Sequence, residues 1–356
     1  MGSIVVSVLK WDNMLAILFA MALGYLSSRL LPQMIASFQV KLSAILQGRG
    51  LYSTLQGKHV VVTGGSSGIG YTIAEYALRE GASVTLIARN VDKLQKAKAS
   101  LIQETNCLSG AVHVTSADVS DATAVTAAIR DAQEWMPIDI LVCNAGVVFV
   151  GRLDEIPVSQ LEDAVRANVL GSVYPIHATI PLMKSRCTSN TPQSIVLVSS
   201  VAGLHQAYAS NVYSSTKYAQ RGLAETLRWE LLPFNIHMHV VCPGYVDTPM
   251  LHGGLEAAAS IYAGKTEAYK KINFLDPKNV VSASHVAKCT WEGVKRGRFL
   301  ITSDWIGYLF AVISRGPIPE ESIVSNIYEL LLIIPVRLLS FVLKRIMTRK
   351  ILRLKL

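Results

Sequence analysis

The chain carries no acidic residue after Pro335, although seven cations stand there: Arg337, Lys344, Arg345, Arg349, Lys350, Arg353 and Lys355. Its excess of basic residues, 34 Lys and Arg against 25 Asp and Glu, is therefore a property of the tail. That excludes a nucleic-acid-binding surface spread over the fold. Cysteine is scarce: Cys107, Cys143, Cys187, Cys242 and Cys289 form an odd, widely spaced set. Such a set excludes a disulfide framework and fits a reduced, cytosolic environment. Cys143 and Cys242 each close an apolar strand-like run, where a cysteine is a small buried hydrophobe. No cluster of metal ligands accompanies His237 and His239, which alternate in one strand, so no metal is expected. Internal repeats and low-complexity segments are missing too. Long hydrophobic runs are few, and the uncharged stretch Asn13–Ser28 falls short of the roughly 20 residues that span a bilayer.

What is present is a constellation of polar residues. Tyr213-Ser-Ser-Thr-Lys217 puts a phenol and an ammonium four residues apart, on one face of a helix. A phenol with a pKa of about 10 is a poor proton carrier at neutral pH. A fixed cation beside it is expected to lower that value. Ser200 follows the apolar run Ile195-Val-Leu-Val198, so it stands at a strand's carboxyl end, in reach of a substrate carbonyl. These groups suit protonation of a ketone oxygen while a hydride arrives from elsewhere.

A source of hydride is written earlier in the chain. The β-branched run His59-Val-Val-Val62 leads into Thr63-Gly64-Gly65-Ser66-Ser67-Gly68-Ile69-Gly70 and then a helical stretch. Strand, Gly-rich turn and helix form a dinucleotide cradle, in which the backbone approaches a pyrophosphate at a helix N-terminus. Strands are expected at 59–63, 83–88, 112–115, 139–143, 195–199 and 237–241. Helices are expected between them at 71–80, 91–104, 121–134, 159–184 and 214–231. That alternation implies an α/β fold of Rossmann type, a doubly wound parallel sheet covered on both faces. The second strand ends in Arg89-Asn90 rather than an acid, which suits the 2′-phosphate of NADPH.

With these motifs in order, the chain resembles a short-chain dehydrogenase/reductase from about Lys58 to Arg298. The matching positions are Thr63 to Gly70, Asp118-Val119, Asn144-Ala145-Gly146, Asn168, Ser200, Tyr213 with Lys217, and Pro243-Gly244 through Val246 to Thr248. The resemblance implies a catalytic set of Asn168, Ser200, Tyr213 and Lys217, with Asn168 in a water-mediated proton relay. It places Asp118 at the adenine, Asn144 beside the adenosine ribose, Lys217 on the nicotinamide ribose, and Pro243 to Thr248 beside the nicotinamide. Gly64, Ser66, Ser67, Gly68, Ile69 and Gly70 would hold the pyrophosphate. Within the family, Ser83–Asn90 with Asp92-Lys-Leu94, Gly171-Ser-Val-Tyr-Pro175 and Arg221-Gly-Leu-Ala-Glu225 resemble the 3-ketodihydrosphingosine reductases. Those enzymes reduce a long-chain lipid ketone with NADPH on the cytosolic face of the endoplasmic reticulum. Membrane-bound 3-ketoacyl-CoA reductases and hydroxysteroid or retinol dehydrogenases share the chemistry. A non-catalytic NADPH-binding scaffold is opposed by the complete catalytic set, and a homo-oligomer is left open.

The ends carry a membrane expectation. Residues 1–57 read as an anchor and linker, 58–300 as the catalytic domain, and 301–356 as a hydrophobic, basic, membrane-associated region. A cleaved signal peptide competes at the N-terminus, where Ala20-Met-Ala22 mimics a cleavage site. The apolar stretch runs past that point, which favours an uncleaved anchor. Arg29, Lys41, Arg49 and Lys58 follow with no acid among them, which puts the enzyme in the cytosol. At the C-terminus, Trp305–Ser314 and Leu330–Leu343 read as an in-plane or re-entrant element. An amphipathic substrate lid or dimer helix is the alternative.

Overall fold

A computed structural model describes residues 50–187, 191–205, 208–262, 279–314, 331 and 333–335. Seven parallel strands form its sheet: β1 His59–Thr63, β2 Ser83–Ala88, β3 Val112–Ser116, β4 Ile140–Cys143, β5 Gln193–Val198, β6 Ile236–Cys242 and β9 Leu300–Thr302. A separate parallel pair joins β7 Val246–Asp247 to β8 Val281–Ser282. The spatial order is β3-β2-β1-β4-β5-β6-β9. The chain winds outward from β1 to β3, then returns and winds the other way from β4. The switch point, where such sheets open a crevice at their carboxyl ends, therefore lies between β1 and β4.

The strands read as unbroken apolar runs because both faces are covered. On one face Val60, Val62, Val84, Leu86, Ile140, Val142, Val196 and Val241 pack with helices α1 Gly68–Arg79, α2 Val91–Thr105 and α8 Ala283–Lys295. On the other face Val61, Ile87, Leu141, Ile195, Leu197, Met238 and Val240 pack with α3 Ala122–Trp135, α5 Gly171–Ser185 and α6 Asn211–Leu231. Odd and even positions of one strand go to opposite cores, as the two-residue period requires. Local chemistry starts the helices. The Asn90 side chain accepts from Lys93 N at 2.8 Å to cap α2, and Asp121 accepts from Thr123 and Ala124 to cap α3.

The strand histidines are hydrogen-bonded within the fold. The His239 ring bonds Arg298 O at 2.7 Å and Ser194 Oγ at 3.1 Å, and burial lowers its pKa to about 4. His237 turns instead to Asn235 Oδ1 at 2.9 Å. The two histidines thus serve separate hydrogen bonds. Cys143 and Cys242 are buried in strands, and all five cysteines are free.

Four expectations need correction. The helix expected at 159–184 is three pieces: α4 Val158–Ala164, a π-helical turn Val165–Leu170, and α5. Pro175 and Pro181 lie inside α5, where each lacks the N–H for an i→i−4 bond. The domain begins before residue 58, because Tyr52 and Leu55 are buried in the core and Tyr52 N donates to Lys295 O at 3.2 Å. It also continues past 300, since β9 pairs with β6 along Val240–Cys242. Finally, Trp305–Ser314 is helix α9 of this same domain, with Gly307, Ala311 and Val312 buried. Its residues are apolar all round because one side faces the core and another a cavity. Among the described residues no helix is long and apolar enough to cross a membrane. Asn13–Ser28 and most of Leu330–Leu343 lie outside the described residues.

Candidate active site

The crevice is built by the turns that leave β1 and β4. Gly64 has φ +64°, and a Cβ on it would lie 2.9 Å from Ala145 Cα. A Cβ on Gly70 would run into the Gly64 carbonyl and would lie 2.5 Å from Asn144 Nδ2. Only glycine lets these two turns nest. Thr63 Oγ1 accepts from Asn144 N at 3.0 Å and Ala145 N at 3.2 Å, while Asn144 Nδ2 donates to the Thr63 and Gly64 carbonyls, each at 3.2 Å. Asn144 therefore braces the Gly-rich turn. Helix α1 starts at this turn with Ser67 as its N-cap, no side-chain cap bond and no acid in the first turn. Its first amide donors are left to an anion, as a dinucleotide pyrophosphate requires.

At the outer end of the crevice, Arg89 lies 3.7 Å from the Asp118 carboxylate, and both side chains are largely exposed. Partial burial works to raise the Asp118 pKa, but the Ser120 amide and hydroxyl, at 2.9 and 2.7 Å, and then Arg89 hold it below its ordinary value. Val119 is buried against Gly171.

The catalytic candidates converge beyond β5. Ser200 sits two residues past the strand, its Oγ accepting from Ala202 N at 3.1 Å, and the Tyr213 hydroxyl is hydrogen-bonded to it. Lys217 is buried, with Nζ donating to Val198 O at 3.0 Å and lying 5.5 Å from the Tyr213 ring centroid. Burial lowers the lysine pKa to about 8 and raises that of Tyr213, against which the Ser200 bond acts. Desolvation thus outweighs the lowering expected from Lys217, whose ammonium is directed at the Val198 carbonyl at the end of β5.

Asn168 is fully buried in the π-helical turn. Its Oδ1 accepts from Val147 N at 2.7 Å, and its Nδ2 donates to Val147 O at 3.0 Å and Thr216 Oγ1 at 2.9 Å. The widened turn exposes its carbonyl to two donors, Ser172 Oγ and Gln220 Nε2, both at 2.9 Å. Asn168 ties the β4 exit loop to α6, and Gly146 lets it close, because a Cβ there would lie 2.9 Å from Asn168 Oδ1.

Ser200 and Tyr213 open into one cavity with Pro243, Gly244, Val246 and Thr248. Its remaining walls are chiefly apolar: Val148, Val150 and Val201, then Met250, Leu251 and Leu255 from helix α7 Pro249–Ile261, and Ile306 with Phe310. His205 stacks on Phe310 at 4.1 Å, and burial lowers its pKa. Sequence reasoning missed Ile306, Phe310 and Asp304, all of which line this cavity from α9 or its start. A signal was available, since Ser-Asp before an apolar run is a helix N-cap pattern. The Arg221–Glu225 motif also acquires a reason. Arg221 bonds Glu225 Oε1 at 2.6 Å, Ser314 Oγ at 3.0 Å and Ser314 O at 2.6 Å, clamping the C-terminus of α9 so that its wall stays in place.

Comparison with known proteins agrees with this geometry. The family model described as short chain dehydrogenase matches residues 58–258. A 3-dehydrosphinganine reductase of Arabidopsis thaliana is 34% identical over 311 residues, covering 86% of this chain and 88% of that protein. A 3-ketodihydrosphingosine reductase of Mus musculus is 37% identical, covering 77% and 80% respectively. Among solved structures, L-sorbose reductase from Gluconobacter frateurii, complexed with NADPH and L-sorbose, superposes with TM-score 0.59 at 26% identity. It covers 69% of this chain and 94% of its own. Actinorhodin polyketide ketoreductase with NADPH gives TM-score 0.62 at 27% identity, covering 70% and 96%. The chain therefore belongs to the short chain dehydrogenase family.

Proposed function

We propose that this chain reduces 3-ketodihydrosphingosine to dihydrosphingosine with NADPH. The observation that carries the reading is the cavity, in which the Ser200 and Tyr213 hydroxyls meet at a polar end and apolar side chains line most of the rest. A lipid ketone suits that division, with its carbonyl at Ser200 and Tyr213 and its chain along Val148, Met250, Leu255 and Phe310. The two relatives named above carry this substrate in their names, and the NADPH complexes support the cofactor.

The residues at the carboxyl ends of β1 and β4 would hold NADPH, which would supply the hydride for the carbonyl carbon. The nested glycine turns and the uncapped start of α1 would hold its pyrophosphate, and Arg89 would hold the 2′-phosphate. Ser200 Oγ donates to the ketone oxygen and orients it. The Tyr213 hydroxyl delivers the proton to that oxygen, giving the alcohol. Its raised pKa keeps it protonated at neutral pH, which is the form a reduction requires. Lys217, fixed by Val198 O, would hold the nicotinamide ribose and stabilises negative charge developing on Tyr213. Asn168 holds the β4 exit loop and α6 at one spacing, and any water relay starts from its neighbourhood.

The proposed seat is the cytosolic face of the endoplasmic reticulum membrane. Support comes from the uncharged stretch Asn13–Ser28, the cations that follow it, and the acid-free basic tail. Purified protein incubated with NADPH and 3-ketodihydrosphingosine should form dihydrosphingosine, identified by mass spectrometry. If NADPH is consumed with other long-chain ketones but not with this one, the substrate assignment is wrong.

A further inference from the structure

Asp304 stands out among the cavity walls. Among the described residues it is the one carboxylate lining the cavity, and no Lys or Arg side chain joins it there. Among those residues, too, it has no ion-pair partner; its oxygens accept from Gly307 N at 2.7 Å and Ser303 Oγ at 3.2 Å. A carboxylate offers about four lone-pair sites, so each oxygen can take another donor. Two contacts place it beside the polar end. A Cβ on Gly244 would lie 2.7 Å from Asp304 Oδ2, and one on Gly307 would lie 3.4 Å from Asp304 Oδ1 and 3.2 Å from Val201, the residue after Ser200. Gly244 follows Pro243, whose carbonyl accepts from Val201 N at 2.9 Å.

We propose that Asp304 is a specificity-determining residue that receives the ammonium of an α-amino ketone. The inference rests on the reading of the substrate above. In 3-ketodihydrosphingosine the amino group is on the carbon next to the ketone. A carbonyl held by Ser200 and Tyr213 therefore leaves the ammonium facing the neighbouring wall, where Asp304 lies. A cavity lined chiefly by apolar side chains strengthens such a pair by lowering the local dielectric. A 3-ketoacyl thioester has no cation to offer this position and would leave the carboxylate desolvated without a partner, so the same residue discriminates against it.

The test compares 3-ketodihydrosphingosine with the same long-chain 1-hydroxy-3-ketone lacking the 2-amino group, both with NADPH and the full chain in detergent micelles. The wild-type protein should prefer the amino ketone by about tenfold or more in kcat/KM, as expected for a charge-assisted contact. Asp304→Asn keeps a helix-capping side chain and should collapse that ratio toward one. Any general damage to folding lowers both rates and cancels in the ratio. A wild-type ratio near one overturns the proposal without recourse to the variant, while leaving the reductase reading intact. An undiminished ratio in Asp304→Asn also overturns it. If the wild-type protein reduces only the ketone without the amine, the substrate reading fails, and this proposal with it.

Discussion

Replacing Asn168 by alanine separates a structural role from a purely catalytic one. The side chain is fully buried and holds three partners: Val147 N at 2.7 Å, Val147 O at 3.0 Å and Thr216 Oγ1 at 2.9 Å. Truncation leaves both backbone groups of Val147 without their protein partners, and Thr216 loses a donor while keeping its own bond to Tyr213 O at 2.7 Å. Each buried hydrogen bond contributes about 1 kcal/mol net, and an unsatisfied partner costs up to about 3 kcal/mol. Val147 is only partly buried, so water replaces some of what is lost. The expected destabilisation is about 2–3 kcal/mol. With a urea slope of about 3 kcal/mol per M for a domain of this size, the midpoint should fall by roughly 1 M. Equilibrium urea unfolding, followed by far-UV circular dichroism and tryptophan fluorescence, measures it. The variant should also bind NADPH more weakly, because the Asn144–Gly146 turn loses its tether to α6. A midpoint within about 0.2 M of wild type (about 0.6 kcal/mol), with activity nonetheless abolished, would refute this reasoning and leave Asn168 a relay residue alone.

Tyr213→Phe removes the proton donor at nearly constant volume, so NADPH titration by fluorescence should be little changed while turnover drops by orders of magnitude; retention of more than about a tenth of activity would be incompatible with the role assigned on general-acid grounds. Arg89→Ala should weaken NADPH by at least about tenfold relative to NADH, given about 1.5–3 kcal/mol for a charged contact, and an equal loss for both cofactors would assign Arg89 another duty. Burial holds the folded-state pKa of His239 near 4 against 6.5, so the native state resists protonation. That contribution is fully present above about pH 6.5 and is lost as pH falls through about 6.5 toward 4, amounting to about 3 kcal/mol. His239→Gln should flatten the stability profile in that window, and an unchanged acid limb would show that other groups control it. Deleting residues 1–49 should preserve folding, whereas deleting 1–57 should not, because only the longer cut removes Tyr52 and Leu55 from the core; melting curves of the two truncations compare them. Removing 1–49 together with 315–356 should release the protein from membranes and slow long-chain turnover in liposomes, and equal turnover would refute the membrane seat.

Much of this protein is determined by short-range patterns that any reader of the chain can see. β-Branched runs such as His59–Thr63 and Ile195–Val198 specify buried parallel strands, because both faces of such a strand must be apolar. The four-residue step from Tyr213 to Lys217 places both on one side of α6, and Gly64 with Gly70 marks the turn where two backbones nest. Tertiary structure alone decided the rest. Local spacing does not reveal that burial would raise Tyr213 and that Lys217 would be directed to Val198, since desolvation depends on everything packed around a group. The same holds for Asn144, whose amide turns to a carbonyl 80 residues away. Apolar composition made Trp305–Ser314 look like membrane material. Yet Arg221 clamps its end from 93 positions earlier, and the sheet needs its wall. Hydropathy records that a segment leaves water, but only the assembled fold determines whether it enters lipid, a core or the side of a cavity.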